Sequence, residues 1–129
     1  MERKINMTIM GAISHIDSIK PNRYTQVEKI KWLSTLDGLI KREIIDTHEG
    51  GENVSFAGYD DVSSLTSELL VPAPYDDMYL KWLETQIDYA NGEYNKYNNT
   101  AMAFNTVLES YKKYYNRTHK PISKDYKHF

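Results

Sequence analysis

Apolar residues recur along this chain at helical spacing in four stretches, separated by polar, glycine-marked or proline-marked breaks. Ile9, Ala12, Ile13 and Ile16 follow the i, i+3, i+4, i+7 pattern of a one-sided helix. With Thr8 placed to cap it and Pro21 beyond its end, the pattern predicts a helix over 8–19. Thr25-Gln-Val-Glu28 then has the form of a capping box, in which the Thr25 hydroxyl accepts from the Glu28 amide and the Glu28 carboxylate accepts from the Thr25 amide. From there Val27, Ile30, Leu33, Leu36, Ile40 and Ile44 predict a second helix over 25–46, which Gly50 and Gly51 close off. Trp32 and Leu39 widen its apolar stripe, so this helix should pack against more than one neighbour.

The third stretch is the most regular. Leu80, Leu83, Ile87, Ala90, Tyr94 and Tyr97 repeat in alternating steps of three and four, a seam suited to an antiparallel partner helix. Asp76 reads as the cap, with Tyr75 and Leu80 as a hydrophobic staple around it and Asp77 favouring the positive end of the helix dipole. A helix over 76–97 would be about 33 Å long at 1.5 Å per residue. Gly92 interrupts it at a cost of roughly 1 kcal/mol relative to alanine. Because the seam stays in phase beyond it, Gly92 reads as a close-packing position. Asn98 or Asn99 then caps a fourth helix over 98–118, whose face is Phe104, Val107, Leu108, Tyr111 and Tyr115. So short a connection makes the last two helices an antiparallel hairpin.

Between the second and third helices, 46–74 carries no helical period. Two pieces of it, 53–57 and 68–71, have β-compatible composition between turn formers, and could pair as a small hairpin or complete themselves on a neighbouring subunit. The expected fold is all-α: one four-helix domain over 1–115 with a long C-terminal hairpin and a long irregular loop, followed by a tail over 116–129.

Charge sharpens that boundary. The chain has 129 residues and a formal net charge of −2, which forecasts no global attraction to nucleic acid or membrane. Asn116 to Phe129 hold Arg117, Lys120, Lys124 and Lys127 against Asp125, or +3, which leaves −5 for the rest. A basic end after an acidic body reads first as a solvated tail and second as a docking arm. Cysteine is absent, which excludes disulfides, thiolate metal sites and cysteine nucleophiles. No run of 18 apolar residues and no secretory h-region occurs, so the expected compartment is a cytoplasm.

No phosphate-binding glycine loop, HExxH helix, EF-hand loop or GxSxG elbow is present. Asp46, His48, Glu49 and Glu52 cluster where the second helix ends and offer oxygen and imidazole donors, but beside two glycines they read more simply as a solvated helix end. Asp60 with Asp61, and Asp76 with Asp77, are carboxylate pairs in positions that favour aspartate anyway. His15, Ser14 and Ser34 fall into no triad-like arrangement.

The tyrosines ask for more. Eight of the 11 lie between Tyr75 and Tyr115, more aromatic surface than a lone hairpin buries. Tyr94, Tyr97, Tyr111 and Tyr115 fall on seams. Tyr75, Tyr79, Trp82, Gln86 and Tyr89 form a second stripe on the third helix, of the kind that protein interfaces select. Phe56 and Tyr59 add a candidate contact on the loop.

The order of these elements, and above all LLVPAPYDDMYLKWLETQIDYANGEYNKYNN, resembles the small head–tail connector, or head-completion, proteins of tailed bacteriophages and prophages of Gram-positive bacteria. The resemblance runs from Ile9 to Pro121. It implies a mostly helical subunit, with no catalytic residue, cofactor or metal, that works in the virion after assembly in the host cytoplasm. Identical subunits would form a ring below the portal and link it to a neck or tail-completion protein, with DNA passing through the channel without specific binding. Head-to-tail association needs two unlike surfaces on one chain. The candidates are the stripe Tyr75, Tyr79, Trp82, Gln86 and Tyr89 and the loop residues Phe56 and Tyr59, with Arg117, Lys120, Lys124 and Lys127 as a docking tail. A different class of reading is a helical regulatory or nucleic-acid-binding module using that tail. A metal-dependent enzyme built on the His48 region is a more distant third.

Overall fold

A computed structural model describes residues 5–60 and 65–122. The chain is all-α: α1 spans Ile9–Ile19, α2 Gln26–Ile40, α3 Asp77–Ala90 and α4 Tyr94–Thr118, and no strand occurs among the described residues. Both predicted caps at the start of the chain are present. Thr8 Oγ1 accepts from the Gly11 amide at 3.0 Å, and the Thr25–Glu28 capping box closes at 3.1 and 2.8 Å. The helix α3 is central, packed on α1 and α2 and most extensively on α4. Ile9, Ile13, Ile16, Ile30, Leu33, Leu36, Ile40, Leu83, Ile87, Phe104 and Tyr111 fill the space between them.

After Ile40 the helix widens into one π turn, Lys41–Ile45, closed by the Asp46 amide on the Lys41 carbonyl at 2.8 Å. The extra residue in that turn rotates the facing of the side chains after it, and both Ile44 and Ile45 are buried. Val27 and Leu39, by contrast, are exposed.

The hairpin differs from its expectation. α3 stops at Ala90, and Asn91-Gly92-Glu93 make the turn. Gly92 has φ +75°, its amide donates to the Tyr89 carbonyl at 3.0 Å and the Glu93 amide to the Asp88 carbonyl at 2.9 Å, the paired bonds of a Schellman stop. A Cβ at Gly92 would meet nothing within 4 Å, so left-handed backbone and not close packing calls for glycine here. Tyr94 and Tyr97 kept the seam's phase by coincidence. They lie in the first turns of α4, and Asn98 and Asn99 sit inside it on an exposed face, capping nothing. Asp76 is no side-chain cap either. Its backbone is helical, and the turn before α3 satisfies the first amides, Met78 donating to Tyr75 O and Tyr79 to Asp76 O.

The loop is tied down in an unexpected register. Residues 53–57 and 68–71 do not pair with each other. Instead Glu68 bridges Thr8, the Leu69 amide donates to Met7 O at 2.8 Å, and the Ile9 and Met10 amides, free donors at the start of α1, find Ser67 O and Leu65 O at 3.0 Å each. Gly51–Asn53 form one 3-10 turn. Leu69 and Val71 alternate into the core.

The tail boundary also moves. Past Thr118 the His119 ring lies flat on Tyr115 at 3.9 Å, Lys120 O accepts from the Glu49 amide at 2.8 Å, and the Ile122 amide donates to Thr47 O at 2.9 Å. An antiparallel bridge joins Pro121 to His48. The packed body therefore continues through Ile122.

Candidate functional site

The stripe predicted on α3 is divided by the structure into a core end and a surface end. Tyr79 is 0% exposed, and Tyr75 is half-buried, its ring 5.6 Å from that of Tyr111 and 5.1 Å from that of Tyr114. Trp82 donates its indole N–H to the Trp32 carbonyl at 2.8 Å and packs its ring 5.1 Å from Phe104. Gln86 is half-buried. These residues join α3 to α2 and α4, and Tyr79 has no surface to offer a partner. Tyr89 alone of the stripe is exposed, at 59%, beside Tyr94 at 59% and half-buried Tyr97, ring to ring at 5.8 and 5.3 Å. Met102, 69% exposed, lies two turns further along α4. The tip of the hairpin thus displays a tyrosine cluster to solvent.

A second apolar surface lies between α2 and α4. Leu36, Leu39, Ile40 and Ile44 form one wall, Phe104 and Leu108 the other, and Trp82 the floor of a groove of about 300 Å³, with Glu43 and Lys112 at its rims. The groove exists because α2 and α4 both pack on α3 with a gap left between them. Leu39, 48% exposed, is the residue that widened the sequence stripe of α2 and found no helix to cover it.

Phe56 and Tyr59 are held against α2. Their rings meet edge to face at 5.1 Å, the Tyr59 amide donates to Ser34 Oγ at 3.0 Å, and the Tyr59 hydroxyl donates to Asp37 Oδ2. Asp37 is the residue that no sequence motif singled out. It is 0% exposed, and it also accepts from the Tyr79 hydroxyl on Oδ1 at 2.6 Å and from the Leu70 amide on Oδ2 at 3.1 Å. Tyr79 in turn accepts from the Val71 amide at 2.8 Å. One carboxylate so joins α2, α3 and two parts of the loop. Burial pushes its carboxyl above the ordinary range, against the opposing pull of the three donors. Burial and the neighbouring carboxylate push both tyrosine hydroxyls up, so they remain protonated donors. A signal for Asp37 was present: it lies four residues after Leu33 and three before Ile40, on the apolar face.

Two other buried charges are paired. Lys29 meets Asp17 at 2.7 Å, and Lys20 stands 2.8 Å from Asp88 Oδ1 in an ion pair without hydrogen-bond alignment, while Thr100 donates to Oδ2 at 3.1 Å. These ties fasten α1 to α2 and to the hairpin.

The His48 region is built as a joint. His48 is buried, with Nδ1 2.6 Å from Ile44 O and Nε2 2.6 Å from the Asn116 side-chain amide, and Tyr115 edge-on at 4.9 Å. Asp46 pairs with Lys41, and Glu49 and Glu52 point to solvent. Among the described residues no three acidic, histidine or cysteine side chains group as metal ligands. Asp60, Asp77, Ser14 and His15 are exposed, and Asp61 lies outside the described residues. Of the docking-tail residues, Arg117 and Lys120 are exposed, and Lys124 and Lys127 lie outside the described residues. No described helix is long and apolar enough to cross a membrane.

Comparison of the chain with protein-family models, with curated proteins and with solved structures finds no match.

Proposed function

We propose that this chain is a non-enzymatic structural adaptor of a tailed-phage virion, whose copies associate head to tail into a ring below the portal and link it to the neck or tail. The observation that carries this reading is the division of exposed apolar surface between two unlike places on one small subunit: the tyrosine tip of the hairpin and the α2–α4 groove. Tyr94 and Leu108, one at each, are separated by about 21 Å along α4 at 1.5 Å per residue. Association through two different, distant surfaces runs head to tail and gives a ring where the rotation between subunits closes, whereas one self-complementary patch gives a twofold dimer. The sequence resemblance to head-completion proteins supplies the identity of the ring, and the packing of the chain through Ile122 leaves Arg117 and Lys120 exposed near its end as charges for a portal or neck partner.

Light scattering over a wide concentration range, with and without a portal ring, tests the proposal. Assembly that depends on concentration or on the portal is the expected result. A strict monomer that ignores the portal would sink it.

A further inference from the structure

Residues 55–60 are hydrogen-bonded to the helices through a single residue. Among the described residues, their hydrogen bonds to the rest of the chain run through Tyr59 alone, from its amide to Ser34 and from its hydroxyl to Asp37. Phe56 adds packing near Gly38, and Gly58, at φ +91°, sets the turn that aims Tyr59 inward. A segment with few buried contacts and one anchor is the kind that opens locally while the core stays folded.

The anchor depends on charge. Asp37 faces Tyr59 from the loop, Tyr79 from α3 and, further off, Tyr111 from α4, and it has no lysine, arginine or histidine partner among the described residues. As a carboxylate its two oxygens are acceptors only and take all three donors, whereas the protonated acid brings a hydrogen of its own into a site where three already converge. A proton arriving on Oδ2 places a hydrogen where the Tyr59 hydroxyl hydrogen already points. The Leu70 amide is fixed in the backbone, and Tyr79 is buried and held by Val71. Tyr59 is the partner able to turn away, because it is half-exposed and borders a recess of about 260 Å³ lined by Val27, Ile30, Lys31 and Asp60.

We propose that Asp37 and Tyr59 form a protonation-controlled latch: ionised Asp37 pins residues 55–60 to α2, and the protonated acid releases them with their Phe56–Tyr59 pair while the helical core remains folded. The latch is a property of the subunit and stands whether or not the chain assembles. Burial of Asp37 favours its proton, and the release is linked to it because the carboxyl holds that proton more tightly once the Tyr59 hydroxyl no longer donates to it.

Hydrogen–deuterium exchange, corrected for the intrinsic effect of pH, tests this on the whole chain. The Tyr59 amide, which is the amide of 55–60 bonded to α2 through Ser34, should exchange at least about tenfold faster at about pH 5 than at about pH 7.5, the worth of one charged hydrogen bond, while α3 stays protected at both. Tyr59→Phe should exchange at the fast rate at both pH values. Asp37→Asn, which offers one acceptor oxygen and two donor hydrogens, should do the same if it folds; Tyr59→Phe carries the test if it does not. Equal corrected protection of the wild type at the two pH values, or wild-type protection in Tyr59→Phe, would overturn the latch.

Discussion

Asp37 is buried with no cation beside it among the described residues, and what makes that tolerable is three donors converging on two oxygens. The Tyr79 hydroxyl serves twice, donating to Asp37 and accepting from the Val71 amide, and its loss would leave both partners short in a dry site. Tyr79→Phe should therefore cost about 2 kcal/mol or more in urea unfolding, although it changes no packing volume of note. The pH dependence comes from the direction of the Asp37 shift. Its folded carboxyl holds a proton more tightly than the unfolded chain does, so its contribution to stability is fully present below the unfolded value and is lost as pH rises through the folded one. Glu28 works the other way: the Thr25 amide holds its carboxyl low, and its contribution fades as pH falls. Subtracting Asp37→Asn from the wild type isolates the first effect, and the wild-type advantage should shrink from mild acid to neutrality. Growth of that advantage with pH would contradict the assignment. Nothing hid Asp37 in the sequence except its company. A carboxylate on an apolar helix face needs donors from elsewhere in the chain, and Tyr59 and Leu70 stand 22 and 33 residues away.

At the scale of elements, the helices were legible because each buries one stripe at the helical period and two of them carry caps written in adjacent residues. α1 and the start of α2 needed no tertiary information. The turn between α3 and α4 did, since a heptad-like phase continued across Gly92 and only the geometry of the Asn91-Gly92-Glu93 stop separates a turn from a packing site. Gly92→Ala distinguishes the two possibilities. A left-handed position should cost about 1–2 kcal/mol when a Cβ is added, even though the space around it is open. A gain in stability, as alanine would give inside a continuous helix, would restore the longer α3. The loop was illegible for a related reason. Both 53–57 and 68–71 have extended-chain composition, but the partner of 68–71 is the run before α1, whose free amides at Ile9 and Met10 are met by carbonyls near 66. A composition rule sees two strands that could pair and has no view of unsatisfied helix ends.

For the whole molecule, the useful distinction is between aromatics that hold the subunit together and those that it displays. Trp82 is a poor probe of assembly. It floors the groove, bonds to Trp32 and packs on Phe104, so Trp82→Ala should cost about 3–5 kcal/mol by itself and confound folding with association. The hairpin tip is different, because Tyr89 and Tyr94 are mostly in solvent and their rings meet chiefly one another. Replacing both by serine should change unfolding free energy by no more than about 0.5 kcal/mol per site, as for other surface positions. If the tip is one side of a head-to-tail contact, the same double variant should remain monomeric at concentrations where the wild type assembles. Leu39→Asp, at the edge of the groove, should block the other side in the same way. Heterologous contact makes a further demand that a twofold dimer does not meet. A tip variant keeps an intact groove and a groove variant keeps an intact tip, so mixing the two leaves one productive interface between them. Light scattering of the mixture should detect pairs, and no larger species, where neither variant alone associates. Two variants that remain inert when mixed would show that tip and groove are not partners, even if each is needed for assembly.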